Sequence, residues 1–260
     1  MFALFPSRAV ALEIFGFGIH WYGLLYVAAF VLAYLLLPRL QHLRGLELAN
    51  EEWSNILTAT ILGVLLGGRL GYALFYHPLY YATHPLEIVA VWQGGMSSHG
   101  GFLGVGLAVL LVSRRLKIPL LTLLDLIVVP AAIGLALGRV GNFINLELYG
   151  TVTSLPWGIA IPGVEGLRHP VQLYAVGKDL LIAGLCFLHL KRTQALNPGG
   201  TFALFLMLYA FLRFSVEFFR EPDFPPVHFW WIALTRGQLY SIPLFLAGVG
   251  VWWFVHRRRN

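Results

Sequence analysis

The chain has little charge: 12% of its 260 residues are Asp, Glu, Lys or Arg, about half the share of an ordinary soluble domain. With 58% of its residues hydrophobic, it carries more apolar side chains than a soluble core of this length hides. Its single cysteine, Cys186, lies in the apolar run from Leu180 to Leu190. An internal disulfide is therefore excluded, redox compartment stays undefined, and a small buried hydrophobe is the expectation there. No Gly/Ser-rich or Pro-rich linker, low-complexity tract or internal repeat divides the chain, which predicts one polytopic domain over 1–260. The opening MFALFPSRAVALEIFGFG lacks a basic start, a sustained apolar centre and a small-residue cleavage site, so a removable signal peptide is not expected.

Familiar catalytic signatures are also missing. There is no Walker loop, GxSxG elbow, dinucleotide fingerprint or HExxH pair. His20, His77, His84 and His169 are scattered and lie near the expected interfaces, as wet or capping residues would. This reading places only Asp125, Glu147 and Glu217 well within the apolar runs or at their ends, too few and too scattered for metal-assisted phosphodiester chemistry. The expectation is a site with no metal and no cofactor, working by positioning and electrostatics.

What is present is a series of apolar runs. About 17 to 25 residues cross a bilayer as a helix, and runs of that order fall near 18–37, 54–75, 97–113, 121–141, 174–190, 201–219 and 237–256. The fold class is therefore an all-α integral membrane protein with seven transmembrane helices and a small head segment on the outer side. Basic residues gather after the first run (Arg39, Arg44), the third (Arg114, Arg115, Lys117), the fifth (Lys191, Arg192) and the last (Arg257 to Arg259). Those ends should be cytoplasmic, with the N-terminus outside and the C-terminus inside. The connection from His77 to Gly95 has no Lys or Arg and carries Tyr80, Tyr81 and Trp92, residues suited to an interfacial belt. Topology and anionic headgroups thus account for most of the net charge of +6, and no nucleic acid partner is expected.

A second set of basic residues is not explained in this way. Arg69, Arg139, Arg168, Arg213, Arg220 and Arg236 fall in or near the outer halves of the runs. Charge in a bilayer costs several kcal/mol unless paired, hydrated or used, so such residues point to function. Arg139 stands in GRVGNFINLELYG, residues 138–150, and Arg69 stands at the end of the ladder Gly63, Gly67, Gly71, between its last two glycines. Spacings of four put glycines on one helix face and let backbones approach closely. Gly134 with Gly138, and Gly100 with Gly104, repeat that spacing, so three helices are expected to crowd beside polar groups.

Tyr209, Arg213, Glu217 and Arg220 are spaced to stack along one helical stripe. Arg213 and Glu217 can pair, but Glu217 cannot also neutralise Arg139 and Arg220. Excess positive charge facing a cavity suits a phosphate-bearing ligand, to which guanidinium offers forked donors. His99, in GGMSSHGG, is an imidazole between flexible segments, able to accept or donate a proton near neutral pH.

These residues carry a resemblance. GRVGNFINLELYG is similar to the signature of the bacterial prolipoprotein diacylglyceryl transferases along its whole length. The similarity extends through HWYGLLY (20–26), GGRLGYALFY (67–76), GGMSSHGG (94–101), RHPVQLY (168–174), RFSVEFFREPD (213–223) and GQLYSIP (237–243). The resemblance implies an inner-membrane transferase with its active site toward the outer side. Such an enzyme moves the diacylglyceryl group of phosphatidylglycerol to the lipobox cysteine thiol of a preprolipoprotein, forming a thioether and releasing glycerol phosphate. Its implied partners are phosphatidylglycerol, the signal peptide with its lipobox cysteine, and membrane lipid. It implies Tyr22, His99, Arg139, Asn142, Glu147, Gly150, Arg213 and Glu217 as functional positions, with Arg69 and Arg220 as further substrate-binding candidates. Arg139 and Arg213 are expected to hold the phosphate, Asn142 and Tyr22 to orient headgroup oxygens, and Glu147 and Glu217 to hold the arginines. His99 is the preferred proton acceptor, with an arginine-assisted thiolate as the rival.

Two departures stand out. A block commonly reading HPSQLYE is here HPVQLYA, with Val171 and Ala175 in place of a hydroxyl and a carboxylate, and Thr151 stands where an arginine often follows the signature glycine. They keep open a lipid-binding paralogue without chemistry. A transporter of anionic lipid or solute is the rival of another class, disfavoured because no inverted repeat is visible.

Overall fold

The computed structural model describes residues 9–91, 94–193 and 198–257. Trp92, expected in the interfacial belt, residues 1–8 of the opening segment, and Arg258 and Arg259 lie outside the described residues. Among the described residues eight α-helices follow in order: α1 (Trp21–Leu40), α2 (Asn50–Tyr76), α3 (Pro78–Thr83), α4 (Ser98–Arg115), α5 (Leu120–Asn145), α6 (Val171–Thr193), α7 (Gly200–Val216) and α8 (Arg236–Arg257). Six helical segments among the described residues, containing α1, α2, α5, α6, α7 and α8, are long and apolar enough to cross a membrane. The remaining expected run, 97–113, forms α4, a helix of 18 residues. His99 and the closing pair Arg114 and Arg115 dilute its apolar character.

Helical burial is inverted relative to a water-soluble protein. On α6, Gln172, Lys178 and Asp179 are buried while Leu173, Leu180, Leu181 and Leu188 are exposed. On α4 the exposed row is Leu103, Leu107 and Leu111. Rows of exposed leucine are costly in water and cost nothing in hydrocarbon, so the chain is a multi-pass membrane protein. Pro130 in α5 and Pro243 in α8 sit inside helices, which membrane helices tolerate when neighbours satisfy the freed backbone groups.

The all-α expectation needs one addition. Among the described residues the connections carry three two-stranded antiparallel ribbons: β1 (Val10–Ile14) with β2 (Phe17–His20), β3 (Ile159–Ala160) with β4 (Leu167–Arg168), and β5 (Val227–Phe229) with β6 (Ile232–Leu234). Strands this short, two to five residues each, were not legible against the much stronger helical signal.

The chain falls into two compact units, Leu37–Leu124 and Met1–Leu36 with Asp125–Asn260. In the first, α2 and α4 meet along glycines. A Cβ at Gly104 would lie 2.0 Å from the Gly63 carbonyl oxygen, and one at Gly67 would lie 2.4 Å from that of Gly100. These contacts leave no room for a side chain, so the ladder read from sequence is a backbone seam. Ser97 caps α4 by accepting from the Gly100 amide at 3.2 Å, and its own amide donates to the Gly68 carbonyl at 2.8 Å.

In the second unit, α7 packs against both α6 and α8. Asp125, fully buried in α5, accepts from the amides of Gly199 at 2.8 Å and Phe202 at 2.7 Å. A carboxylate from another helix thus closes the start of α7, where the dipole favours negative charge. That explains an acid inside an apolar run without any chemistry. The third glycine pair does not behave as the other two: Gly134 lies near Ala29 of α1, and a Cβ at Gly138 would meet nothing within 4 Å. The crowded glycine of α5 is Gly141, where a Cβ would lie 2.6 Å from the Tyr22 ring.

Candidate functional site

The last two turns of α5 carry Arg139 and Asn142 at a spacing of three, on one face of the helix. Arg139 Nη1 donates to Asn142 Oδ1 at 3.2 Å, and Asn142 Nδ2 donates to Glu147 Oε1 at 2.8 Å. After Asn145 the chain turns back over the helix end, with positive φ at Leu146 (58°) and Leu148 (56°), values that β-carbons disfavour. Those two residues bracket Glu147 and aim its carboxylate at Asn142. The Gln172 side chain of α6 ties the turn down, donating to the Glu147 carbonyl at 2.7 Å.

The consequence is electrostatic. An amide stands between Arg139 and Glu147, accepting from one and donating to the other, so the carboxylate orients the guanidinium without capping it. Among the described residues, no carboxylate lies within ion-pair distance of Arg139.

Tyr209 and Arg213 lie on α7, but the stripe read from sequence does not continue as α-helix. The helix ends at Val216, Glu217–Phe219 form a 3-10 turn, and Arg220 is extended at φ −90°, ψ 139°. The charges still converge. Arg213 pairs with Glu217, whose other oxygen accepts from the Thr235 hydroxyl at 3.1 Å. Arg220 lies 3.9 Å from Glu217 and pairs more closely with Asp223. Burial lowers the pKa of Arg220 from the usual guanidinium value, while Glu217 and Asp223 act to raise it. Gly237, opening α8, is pressed onto this cluster: a Cβ there would lie 2.5 Å from Glu217 Oε1 and 2.8 Å from Arg213 Nη2.

Gly150 closes the site from the connecting segment. It bridges Arg220, and its amide donates to the His169 carbonyl at 3.0 Å. A Cβ there would fall 2.6 Å from the carbonyl oxygens of both His169 and Phe219. Only glycine fits a point where three backbone segments meet.

Between these ends lies a cavity with about 320 Å³ of empty space, its open mouth included. Arg139, Arg213, Arg220 and Lys178 all line it, with Gln172 beside them. Val171 and Ala175, the altered positions of the HPVQLYA block, are on the same wall. Lys178 pairs with Asp179, and both are buried within α6. Neither was picked out from the sequence, and Asp179 corrects the carboxylate count made there. Two adjacent charges in a run bounded by Leu173 and Leu190 are the signal that would have found them.

Four cations, carried by α5, α6 and the segment from α7 to Arg220, thus line one cavity. A family model described as prolipoprotein diacylglyceryl transferase matches residues 9–254. The chain belongs to the prolipoprotein diacylglyceryl transferase family. It is 45% identical over 244 residues to a protein of Geobacter sulfurreducens named phosphatidylglycerol-prolipoprotein diacylglyceryl transferase, covering 92% of each chain. It is also 45% identical over 240 residues to one of the same name from Wolbachia pipientis of Culex pipiens, covering 90% of each. One from Cereibacter sphaeroides is 40% identical over 268 residues, covering 92% of each.

Of the positions that the transferase resemblance implied, the structure brings Arg139, Asn142, Glu147, Gly150, Arg213, Glu217 and Arg220 into one connected group. Tyr22 joins it through Gly141, the residue before Asn142, with its ring 5.1 Å from that of Tyr26. His99 and Arg69 belong to the other compact unit. His99 is exposed in the first turn of α4. Arg69 is buried and donates to the carbonyls of Glu87, Ile88, Gly94 and Gly95, which fastens the connection leading toward α4.

Proposed function

We propose that the chain transfers the diacylglyceryl group of phosphatidylglycerol to the lipobox cysteine thiol of preprolipoproteins, the first step of lipoprotein maturation. The observation that carries this reading is the cationic cavity, in which Arg139 is oriented by Asn142 and left uncapped. The thiol sulfur attacks the glyceryl carbon, a C–S bond forms, and the C–O bond to phosphate breaks with its electron pair leaving on glycerol phosphate. Arg139 and Arg213 hold the phosphate and stabilise the leaving group by charge-assisted hydrogen bonds. Glu147 and Glu217 fix those arginines, and Asn142 and Tyr22 face headgroup oxygens. Gly150 keeps Arg220 at the site; Arg69 acts by holding the connection that carries Gly94 and Gly95. His99 takes the thiol proton in the preferred version, and an arginine-assisted thiolate is its rival.

The same proposal includes seven spans, with α4 as the third, in one functional domain of a bacterial inner membrane. The N-terminus and the cavity face outward, and the C-terminus faces the cytoplasm. The glycine seam supports a spanning α4, because it joins that helix backbone to backbone with α2. The sided distribution of Lys and Arg supports the orientation.

Purified protein, phosphatidylglycerol vesicles and a lipobox peptide test the reading. The peptide should gain the mass of a diacylglyceryl group, and Arg139→Ala or Arg213→Ala should abolish the gain. Turnover retained in either variant removes the phosphate assignment. A His99→Gln variant that keeps most activity removes the histidine as base in favour of the arginine-assisted thiolate.

A further inference from the structure

Lys178 stands apart from the positions that the transferase resemblance implies, yet it shares the cavity wall with Arg139, Arg213 and Arg220. Its side chain is almost fully buried, and its ammonium is pinned twice: by the Asp179 carboxylate and by the Tyr209 ring, 4.4 Å away. Asp179 does not line the cavity. An ammonium has three donors, and among the described residues Asp179 accepts only one through Oδ1, while its buried Oδ2 has no partner there. A pair present only to neutralise itself inside an apolar helix would satisfy both oxygens. This one leaves two donors of Lys178 for another group.

Charge balance along the reaction gives those donors a task. Phosphatidylglycerol enters as a phosphodiester with one negative charge. When the carbon–oxygen bond breaks, the electron pair leaves on oxygen and the product becomes a phosphomonoester, which carries close to two charges at neutral pH. Three of the four cations have carboxylate partners: Lys178 has Asp179, Arg213 has Glu217 and Arg220 has Asp223. Arg139 alone matches one charge; a second has to be met as the bond breaks. Arg213 and Arg220 are fixed planar forks shared over Glu217, whereas a lysine ammonium on a four-carbon stem can turn a donor toward a growing charge.

We propose that Lys178 contacts the phosphate in this cavity and stabilises the second negative charge that the leaving group gains on transfer. This rests on the transferase reading. Asp179 and Tyr209 act as positioning residues that hold the ammonium.

The test uses the full chain in detergent, with phosphatidylglycerol and a lipobox peptide. Two soluble inhibitors are compared: glycerol phosphate, a monoester, and glycerophosphoglycerol, a diester with one charge. Lys178→Met should lower kcat about tenfold, the size expected for losing one charged hydrogen bond, with KM for phosphatidylglycerol within about twofold. Inhibition by glycerol phosphate should weaken about tenfold, and inhibition by glycerophosphoglycerol by less than about twofold. Lys178→Arg, which keeps the charge but carries it on a planar fork, should restore both values only in part. The double variant Lys178→Met, Asp179→Asn removes the buried carboxylate left unpaired, and so separates folding from charge. It should stay as slow as the single variant. Recovery in the double variant, equal weakening toward both inhibitors, or no change in either overturns the proposal. A wild-type chain that shows no transfer overturns the transferase reading along with it; normal wild-type transfer with an unaffected Lys178→Met overturns this inference alone.

Discussion

Asn142 separates a cation from a carboxylate that would otherwise cap it. Its two amide ends match Arg139 and Glu147, at 3.2 and 2.8 Å. Asn142→Asp puts a carboxylate directly against Arg139, and this isosteric change should cost more activity than Asn142→Ala. In transfer assays at matched protein levels, Asn142→Asp should show the larger loss, at least about tenfold, since a charged pair of this kind is worth roughly 1.5–3 kcal/mol. At Gly150 the limit is space rather than charge. Gly150→Ala brings a methyl to within 2.6 Å of two backbone oxygens. It should lower the thermal midpoint in detergent markedly, by the equivalent of about 2 kcal/mol or more, an overpacking cost. Both residues were legible in the signature GRVGNFINLELYG. The residues that hold Arg220, Glu217 and the Glu147 carbonyl were less so, because Asp223, Thr235 and Gln172 are ordinary polar residues until the fold brings them there.

At the scale of elements, helix positions followed hydropathy closely, since a run of about 20 apolar residues has few alternatives in lipid. The ends followed less well. The sequence stripe from Tyr209 to Arg220 assumed uniform helix, whereas the backbone leaves α-helical geometry at Glu217 and lets Arg220 bridge Gly150. Spacing gives no sign of that break. Glycine ladders were visible as patterns, but a pattern does not distinguish a crowded face from an empty one. The two kinds make opposite predictions. Gly104→Ala should force α2 and α4 apart and lower stability, whereas Gly138→Ala, with nothing within 4 Å, should be neutral or stabilise by about 0.5–1 kcal/mol. Differential scanning fluorimetry of the two variants side by side is the check. Asp125→Asn should also destabilise, by about 1–2 kcal/mol, since it weakens the closure of α7. Its transfer activity per folded molecule should remain.

For the whole molecule, composition announced a membrane protein before any motif did, and the inverted burial of its helices agrees. Sidedness is open to a direct measurement. A single cysteine at Glu87, in the connection without Lys or Arg, should react with an impermeant maleimide added to intact cells. One at Lys117, beside Arg114 and Arg115, should react only after lysis. Native Cys186 should stay silent in both, being fully buried with its thiol inside α6. The reverse labelling pattern would invert the topology.

The seam between α2 and α4 bears on how mutational scans of this chain should be interpreted. Every amino acid that can replace glycine adds at least a β-carbon, so Gly63, Gly67, Gly100 and Gly104 have no conservative substitute at contacts this close. In a growth-based screen such positions would score as intolerant as Arg139 or Arg213, although they touch no reacting atom. Measuring protein abundance beside growth would separate the two groups: seam variants should vanish from the membrane, while arginine variants should accumulate as inert protein.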